Sequence, residues 1–267
     1  MVDRFRCFKG AGMRTADIFR FKALEIATLI LVSAFSLLGF FWPFIANAKQ
    51  SGTIFWIASN LALLLLLTLI GKAKFDPKTL ALLAVLSSII AALRPLGAGA
   101  AGIEPMWFLL ILSAYVFRAT FGFLLGAISM LLSAFLTGGF GPWLPYQVFA
   151  AAWIGFLAGT LPKLKRFEIP LLAISALILA EVFGILMDLQ FWPYALGPKT
   201  QLSYIPGGAI ADNLHRFFIY HGATSMAWNV PRAIFTATLI LLIGSGVLSA
   251  LKRAARKASF NTAIHFT

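Results

Sequence analysis

Apolar stretches recur along this chain, running roughly over residues 23–46, 53–71, 79–93, 105–117, 119–137, 145–162, 169–190 and 229–251. Runs such as residues 61–70 carry no charge at all, and about 20 apolar residues are what a helix needs to span the hydrocarbon core of a bilayer. Hydrophobic residues make up 60% of the chain and charged ones 12%, with a mean hydropathy of +0.90. A soluble domain holds roughly 45–50% apolar and about 25% charged residues, so no water-soluble core of this length could hide so much apolar surface. The expected fold class is all-α, a polytopic transmembrane helical bundle of about eight spans with lipid as its solvent. The length suits one compact bundle, not two domains.

A net charge of +13 points toward nucleic acid only at first sight. The basic residues fall in short clusters between apolar segments and not along one soluble face, so nucleic acid is not an expected partner. Their placement tests topology instead, because cytoplasmic loops are enriched in Lys and Arg. With eight crossings and the N-terminus inside, 17 of the 22 basic residues lie on the cytoplasmic side, and Lys49, Arg94, Lys199, Arg216 and Arg232 lie outside. Fusing residues 105–137 into one helix leaves 12 inside, 9 outside and Arg118 in the membrane. The eight-crossing reading is favoured, although its fourth segment is short. It gives a multi-pass protein of the cytoplasmic membrane with both termini cytoplasmic. The organisation expected is a basic N-terminus (1–22), two helices (23–72), a six-helix core (73–251) and a basic tail (252–267).

The first segment ends at Ala46-Asn47-Ala48, which looks like a signal-peptidase site. Its apolar run is nevertheless longer than the 7–15 residues of a signal core, and retention is expected. Cys7 is the single cysteine; it can form no internal disulfide and argues against a redox or zinc role.

The connections expected inside are short, whereas those outside are longer: a Gly-rich stretch over 94–105, a turn over 138–145, and 38 residues over 191–228. A connection longer than about 12–15 residues is usually functional or disordered. This one is too rich in aromatic and apolar residues for a solvated linker and is expected to fold over the bundle as a lid.

Four stretches carry a family resemblance. They are Arg94-Pro95-Leu96-Gly97, then Ala101-Gly102-Ile103-Glu104-Pro105, then residues 138–147 (Gly-Gly-Phe-Gly-Pro-Trp-Leu-Pro-Tyr-Gln), then residues 224–233 (Thr-Ser-Met-Ala-Trp-Asn-Val-Pro-Arg-Ala). Together they resemble the substrate-binding S components of energy-coupling factor (ECF) vitamin transporters in their actinobacterial form, over about residues 23–258. The resemblance implies a six-helix core that binds a micronutrient on its outer face, possibilities including cobalamin or a related compound. It also implies docking on a transmembrane coupling (T) subunit driven by two ABC ATPases, with the first two helices as an N-terminal addition. The chain has no Gly-x-x-x-x-Gly-Lys-Ser/Thr sequence to cradle phosphates, so energy must come from a partner or an ion gradient.

Candidate residues follow from chemistry and from the resemblance. Ala84, Ser88 and Ala92 recur every four residues, a small-residue stripe that lets another helix approach closely. The stripe resembles the Ala-x-x-x-Ala docking motif of S components, with Ser88 interrupting it; Ala23 and Ala27 are a second candidate. In the 138–147 turn, Trp143 and Tyr146 could stack on a flat ligand and Gln147 could hydrogen-bond it, or the same rings could anchor the membrane interface. Glu181 and Asp188 stand close to two helical turns apart, and intramembrane carboxylates are usually paired or line a cavity. Asp188 is the better substrate contact. Asn213, Trp228 and Asn229 add polar and aromatic groups, and Arg94 and Arg232 either snorkel to the surface or pair with an anionic substrate group. His215 and His221 are six apart, fit no short metal motif, and are expected to be solvated or hydrogen-bonded in the lid. No catalytic residue, metal or cofactor is assigned. A membrane enzyme on a lipid-linked substrate would need acid/base or metal groups gathered at one face, and these are scattered. A proton-coupled transporter would use Glu181, but no inverted repeat is visible.

Overall fold

The computed structural model describes residues 23–45, 51–72, 77–97, 102–164, 166–197 and 200–259. The basic N-terminus with Cys7, the Ala46-Asn47-Ala48 sequence and the chain beyond Ser259 lie outside the described residues. In lipid every backbone N–H and C=O must be satisfied within its own segment, which leaves the helix as the available solution for each apolar run. The chain forms α1 (Ala23–Ile45), α2 (Ser51–Lys72), α3 (Pro77–Leu93), a 3-10 turn at Pro95–Gly97, α4 (Met106–Phe117), α5 (Ala119–Thr137), α6 (Leu144–Thr160), α7 (Glu168–Ala195), α8 (Ile210–Thr224) and α9 (Met226–Ser259). Five of these, α1, α3, α5, α7 and α9, contain stretches long and apolar enough to cross a bilayer, and α2 and α4 hold shorter apolar stretches. The result is the polytopic helical bundle expected.

Helix ends sit where the sequence removes a donor or permits an unusual turn. Pro77 opens α3, Pro105 precedes α4 and Pro145 lies in the first turn of α6, positions where a missing N–H costs nothing. The long-helix alternative for 105–137 fails at Arg118, whose φ of 80° and ψ of 174° break the chain between α4 and α5. At 12 residues α4 is only about 18 Å long. It is short because it is central: ten of its residues are buried among α3, α5, α6, α7 and α9, so it need not match the lipid thickness.

Around it, α5 lies along α6 and α7 along α9, while α1 pairs with α2 and leans on α6 and α7. The α5–α6 crossing is close enough that a Cβ on Gly122 would lie 2.2 Å from the Gly155 carbonyl oxygen. Large apolar side chains point outward from the bundle, among them Phe135, Ile178, Ile234 and Leu242, as a lipid-facing surface requires.

The expected 191–228 connection is the largest departure. Instead of one long loop, α7 continues to Ala195, α8 occupies Ile210–Thr224, and α9 begins at Met226. Hydropathy misses α8 because it is amphipathic: Asn213, Phe217, Tyr220 and His221 are buried, while Ile210, Phe218 and Ile219 are exposed.

Candidate functional site

One end of the bundle gathers charged and polar side chains from four segments distant in sequence. Glu181 and Asp188, both on α7, share a single partner: the His221 ring of α8 puts Nδ1 2.6 Å from Asp188 Oδ2 and Nε2 3.1 Å from Glu181 Oε2. With a carboxylate oxygen at each nitrogen, the doubly protonated imidazolium can donate at both positions. The hydrogen bond to Asp188 holds the His221 pKa above its usual value, helped by Glu181 and opposed by burial. Ser225, at the α8–α9 junction, donates its hydroxyl to Asp188.

The network continues into α9 and back to α4. Asn229 Nδ2 donates to Glu181 Oε2 at 3.2 Å, and Arg232 Nη1 donates to Asn229 Oδ1 at 2.8 Å. Arg232 Nε then reaches Glu104 Oε2 at 2.9 Å, and Trp107 Nε1 donates to the same carboxylate oxygen. The guanidinium lies 5.0 Å over the Phe183 ring, which in turn packs 4.4 Å from Trp107. Arg232 is 8% exposed, so its partners are what make its burial tolerable.

Two glycines allow these groups to meet. Gly102 has a φ of +71°, and a Cβ there would sit 2.1 Å from the Trp228 carbonyl oxygen, so only glycine lets the Glu104 segment lie against the start of α9. A Cβ on Gly184 would fall 2.0 Å from Asn229 Nδ2, in the space the amide needs to reach Glu181.

Beside the network is a small cavity with room for about one water molecule, lined by Trp107, Ile111, Ile154, Ala176, Leu179, Ala180, Arg232 and Thr236. Its walls are apolar apart from Arg232 and Thr236. The Thr236 hydroxyl is buried with no hydrogen-bond partner, which is costly unless a further group completes it.

The residues expected at the site divide in two. Asp188, Asn229 and Arg232 enter the network. Arg94 and Gln147 form a second link at the same end, Arg94 Nη2 donating to Gln147 Oε1 at 3.1 Å and Nη1 to Ser133 Oγ at 3.4 Å. Trp143 and Trp228 are 44% and 52% exposed, and Trp143 folds back over Gly141. Tyr146 is buried, its ring 5.5 Å from Phe40 of α1. Asn213 ties the start of α8 to the connection before it, accepting from the Ile205 N–H at 3.0 Å and donating to the Ile205 carbonyl at 2.9 Å. Glu104, Trp107, Ser225 and Thr236 are not among the residues expected from the sequence; Glu104 and Ser225 stand in motif stretches, and that is their visible signal. Ala84, Ser88 and Ala92 are all exposed along α3.

Ser225 donates to Asp188, leaving its hydroxyl without a histidine base aimed at it. Among the described residues no group of three or more His, Cys, Asp or Glu side chains could hold a metal ion.

Comparison of the chain with curated proteins and with solved structures gives no match. A family model described as ECF-type riboflavin transporter, S component, matches residues 78–253, from the first turn of α3 into the last third of α9. The matched stretch covers about two thirds of the chain and contains every member of the network; α1 and α2 lie outside it. The chain therefore belongs to the ECF-type riboflavin transporter S component family, the substrate-binding membrane subunits that work with a T component and ABC ATPases.

Proposed function

We propose that the end of the bundle carrying the Glu104–Arg232–Asn229–Glu181–His221–Asp188 network captures a flat, hydroxylated heteroaromatic vitamin, with riboflavin as the ligand. The carrying observation is the cavity beside that network. Its apolar wall of Trp107, Ile111, Ile154 and Leu179 suits a ring system, and Arg232 and the unpartnered Thr236 hydroxyl offer hydrogen bonds, the usual make-up of a ligand pocket. The riboflavin named in the family's description supports the same choice. With room for about one water molecule, the gap must widen as the vitamin enters, and α8, which bridges Glu181 and Asp188 through His221, is read as the cover that moves. Cobalamin, much bulkier than a flavin, would require a far larger displacement.

In this reading the network end faces outward and both termini are cytoplasmic, in keeping with the count of basic residues. Asp188, Asn229, Arg232, Glu181 and Glu104 supply orienting hydrogen bonds, Arg94, Gln147, Trp143 and Trp228 form the rim, and Tyr146 and Asn213 hold the framework. Helices α3–α7 and α9 are the six-helix core, and α1–α2 are an addition to it. The exposed stripe of Ala84, Ser88 and Ala92 is the face offered to the T subunit, because small side chains let helix backbones approach. Two ATPases on that subunit supply the energy.

Titrating detergent-purified protein with riboflavin and following flavin fluorescence tests the ligand. Saturable one-to-one quenching is expected, lost in Arg232→Ala and retained in Tyr115→Phe at the opposite end of the bundle. Native mass spectrometry showing a corrinoid on the purified protein, with no flavin quenching, would overturn the choice of vitamin. Absence of any bound or binding vitamin would overturn the capture site.

A further inference from the structure

Of the two helices outside the family-matched stretch, α1 reaches the proposed lid. Along one side of α1, side chains engage the core in order toward the network end. Ser36 accepts a hydrogen bond from Trp153 Nε1 of α6 at 3.1 Å, Phe40 packs 5.5 Å from Tyr146, and Trp42 lies 5.7 Å from Tyr204 and 6.1 Å from Tyr194. At the tip, Phe44 sits 6.4 Å from Phe217 of α8 and 6.3 Å from Trp192 of α7. Phe217 is 2% exposed and stacks on His221 at 6.0 Å, one turn from the point where His221 holds Glu181 and Asp188.

We infer that the tip of α1 is a latch for α8: Phe44, supported by Trp42, positions the lid helix through Phe217 and so sets how readily the capture site opens. The inference rests on the reading of α8 as the cover of that site. The physical reason is the anchoring of α8. Its links to the rest of the bundle are few and concentrated: His221 to α7, and Phe217 in an aromatic cluster to which α1 contributes a ring. Asn213 bonds only within the connection leading into the helix. Because α1 is itself fixed to α6 lower down, through Ser36 and Phe40, its tip can act as a stationary stop. Phe44 and Trp42 are thus positioning residues that touch no ligand themselves.

Hydrogen exchange of the α8 amides in the ligand-free full chain tests the latch directly. An aromatic pair carries an increment that, expressed as an equilibrium, is about three- to tenfold. Phe44→Ala should therefore raise α8 exchange by that factor, and Phe44→Tyr should restore it. Ser36→Ala, which removes one of the two anchors of α1 on α6 and leaves Phe40 against Tyr146, should raise α8 exchange clearly less than Phe44→Ala does. With riboflavin as probe, Phe44→Ala should speed association and dissociation by similar factors and leave Kd within about twofold, a split that general loss of stability would not produce. Should the alanine variant not fold, Phe44→Leu, which keeps apolar volume without the ring, must show the same ordering. Unchanged α8 exchange in a folded Phe44 variant, or an equal rise in Ser36→Ala, would overturn the latch. If α8 exchange responds as expected while riboflavin binds to no variant, the latch stands and the capture reading falls.

Discussion

The two ends of the bundle both gather charge, with different balances. At the network end three carboxylates, Glu104, Glu181 and Asp188, meet Arg232 and His221, with Arg94 close to Glu104. At the other end Glu168 is the carboxylate among Lys163, Lys252 and Arg118. Its Oε1 accepts from the Tyr115 hydroxyl at 3.2 Å and its Oε2 pairs with Lys252, while the Lys163 ammonium sits 3.6 Å over the Tyr115 ring. Burial, with Arg118 nearby, pushes Lys163 down to about 8. A surplus of carboxylate oxygens leaves acceptors for the hydroxyls and N–H groups of an entering ligand. A surplus of cations on short connections suits contact with anionic lipid headgroups. The difference bears on which end opens under the proposed reading: the first is bridged by α8, the second by short turns.

The comparison breaks most visibly if the ends respond alike to losing a cation. Arg232→Ala removes the cation that pairs Glu104 and holds Asn229 Oδ1, in a site where the arginine side chain is 10% exposed. Removing one member of a buried pair costs about 3–5 kcal/mol. Lys252, with a side chain 38% exposed, should cost about 1 kcal/mol or less when changed to Ala. Thermal unfolding of the detergent-solubilised variants measures both, and equal losses would remove the asymmetry.

Next in size is Gly102→Ala. Gly102 and Gly138 both have positive φ, 71° and 63°, but only Gly102 is crowded by a neighbouring backbone. Gly102→Ala should lose about 1–3 kcal/mol through strain and displacement of the Glu104 segment, with a matching fall in riboflavin affinity. Gly138→Ala should lose less and leave affinity unchanged, as thermal melts and fluorescence titration would show.

Thr236→Val sharpens the comparison at the cavity. The change preserves shape and deletes a hydroxyl with no protein partner. Riboflavin binding should weaken about fivefold, the equivalent of about 1 kcal/mol for one hydrogen bond, while the melting temperature holds or rises. An unchanged affinity would place the ligand elsewhere.

The smallest expected effect is the response to alkali, where the ends should move in opposite directions. The His221 pKa is raised in the folded protein, chiefly by Asp188. Its contribution to holding α8 is therefore complete below about 6.5, the unperturbed histidine value, and is lost as pH climbs through the higher folded value. Exchange of α8 amides, corrected for the intrinsic pH dependence of exchange, should rise over that window and become flat in His221→Gln. Lys163 has the reverse sign. With a folded pKa near 8 against an ordinary 10.5, its partly desolvated ammonium opposes folding at lower pH, an effect that the exposure of the residue to solvent keeps small. That penalty fades as pH rises from about 8 toward 10.5, and Lys163→Met should abolish the trend in melts across that range.

The sequence by itself determined the fold class and the positions of the apolar helices, because hydropathy is a local property and a lipid-embedded backbone must close its hydrogen bonds locally. Even the break at Arg118 was legible, from the distribution of basic charge. The carboxylates of α7 could be expected to face inward, since Glu181 and Asp188 lie two turns apart. Only the tertiary structure decided which polar groups meet. Glu104 finds Arg232 across 128 positions, and His221 joins Glu181 and Asp188 across 40 and 33. Tyr146 went to the α1 interface and Asn213 to the lid's own turn. The lid helix was hidden because half of its surface is polar, and its contact with Phe44 depends on how α1 packs. Such pairings depend on helix rotation and on close approaches like those at Gly102 and Gly184, which no periodicity along a single segment encodes.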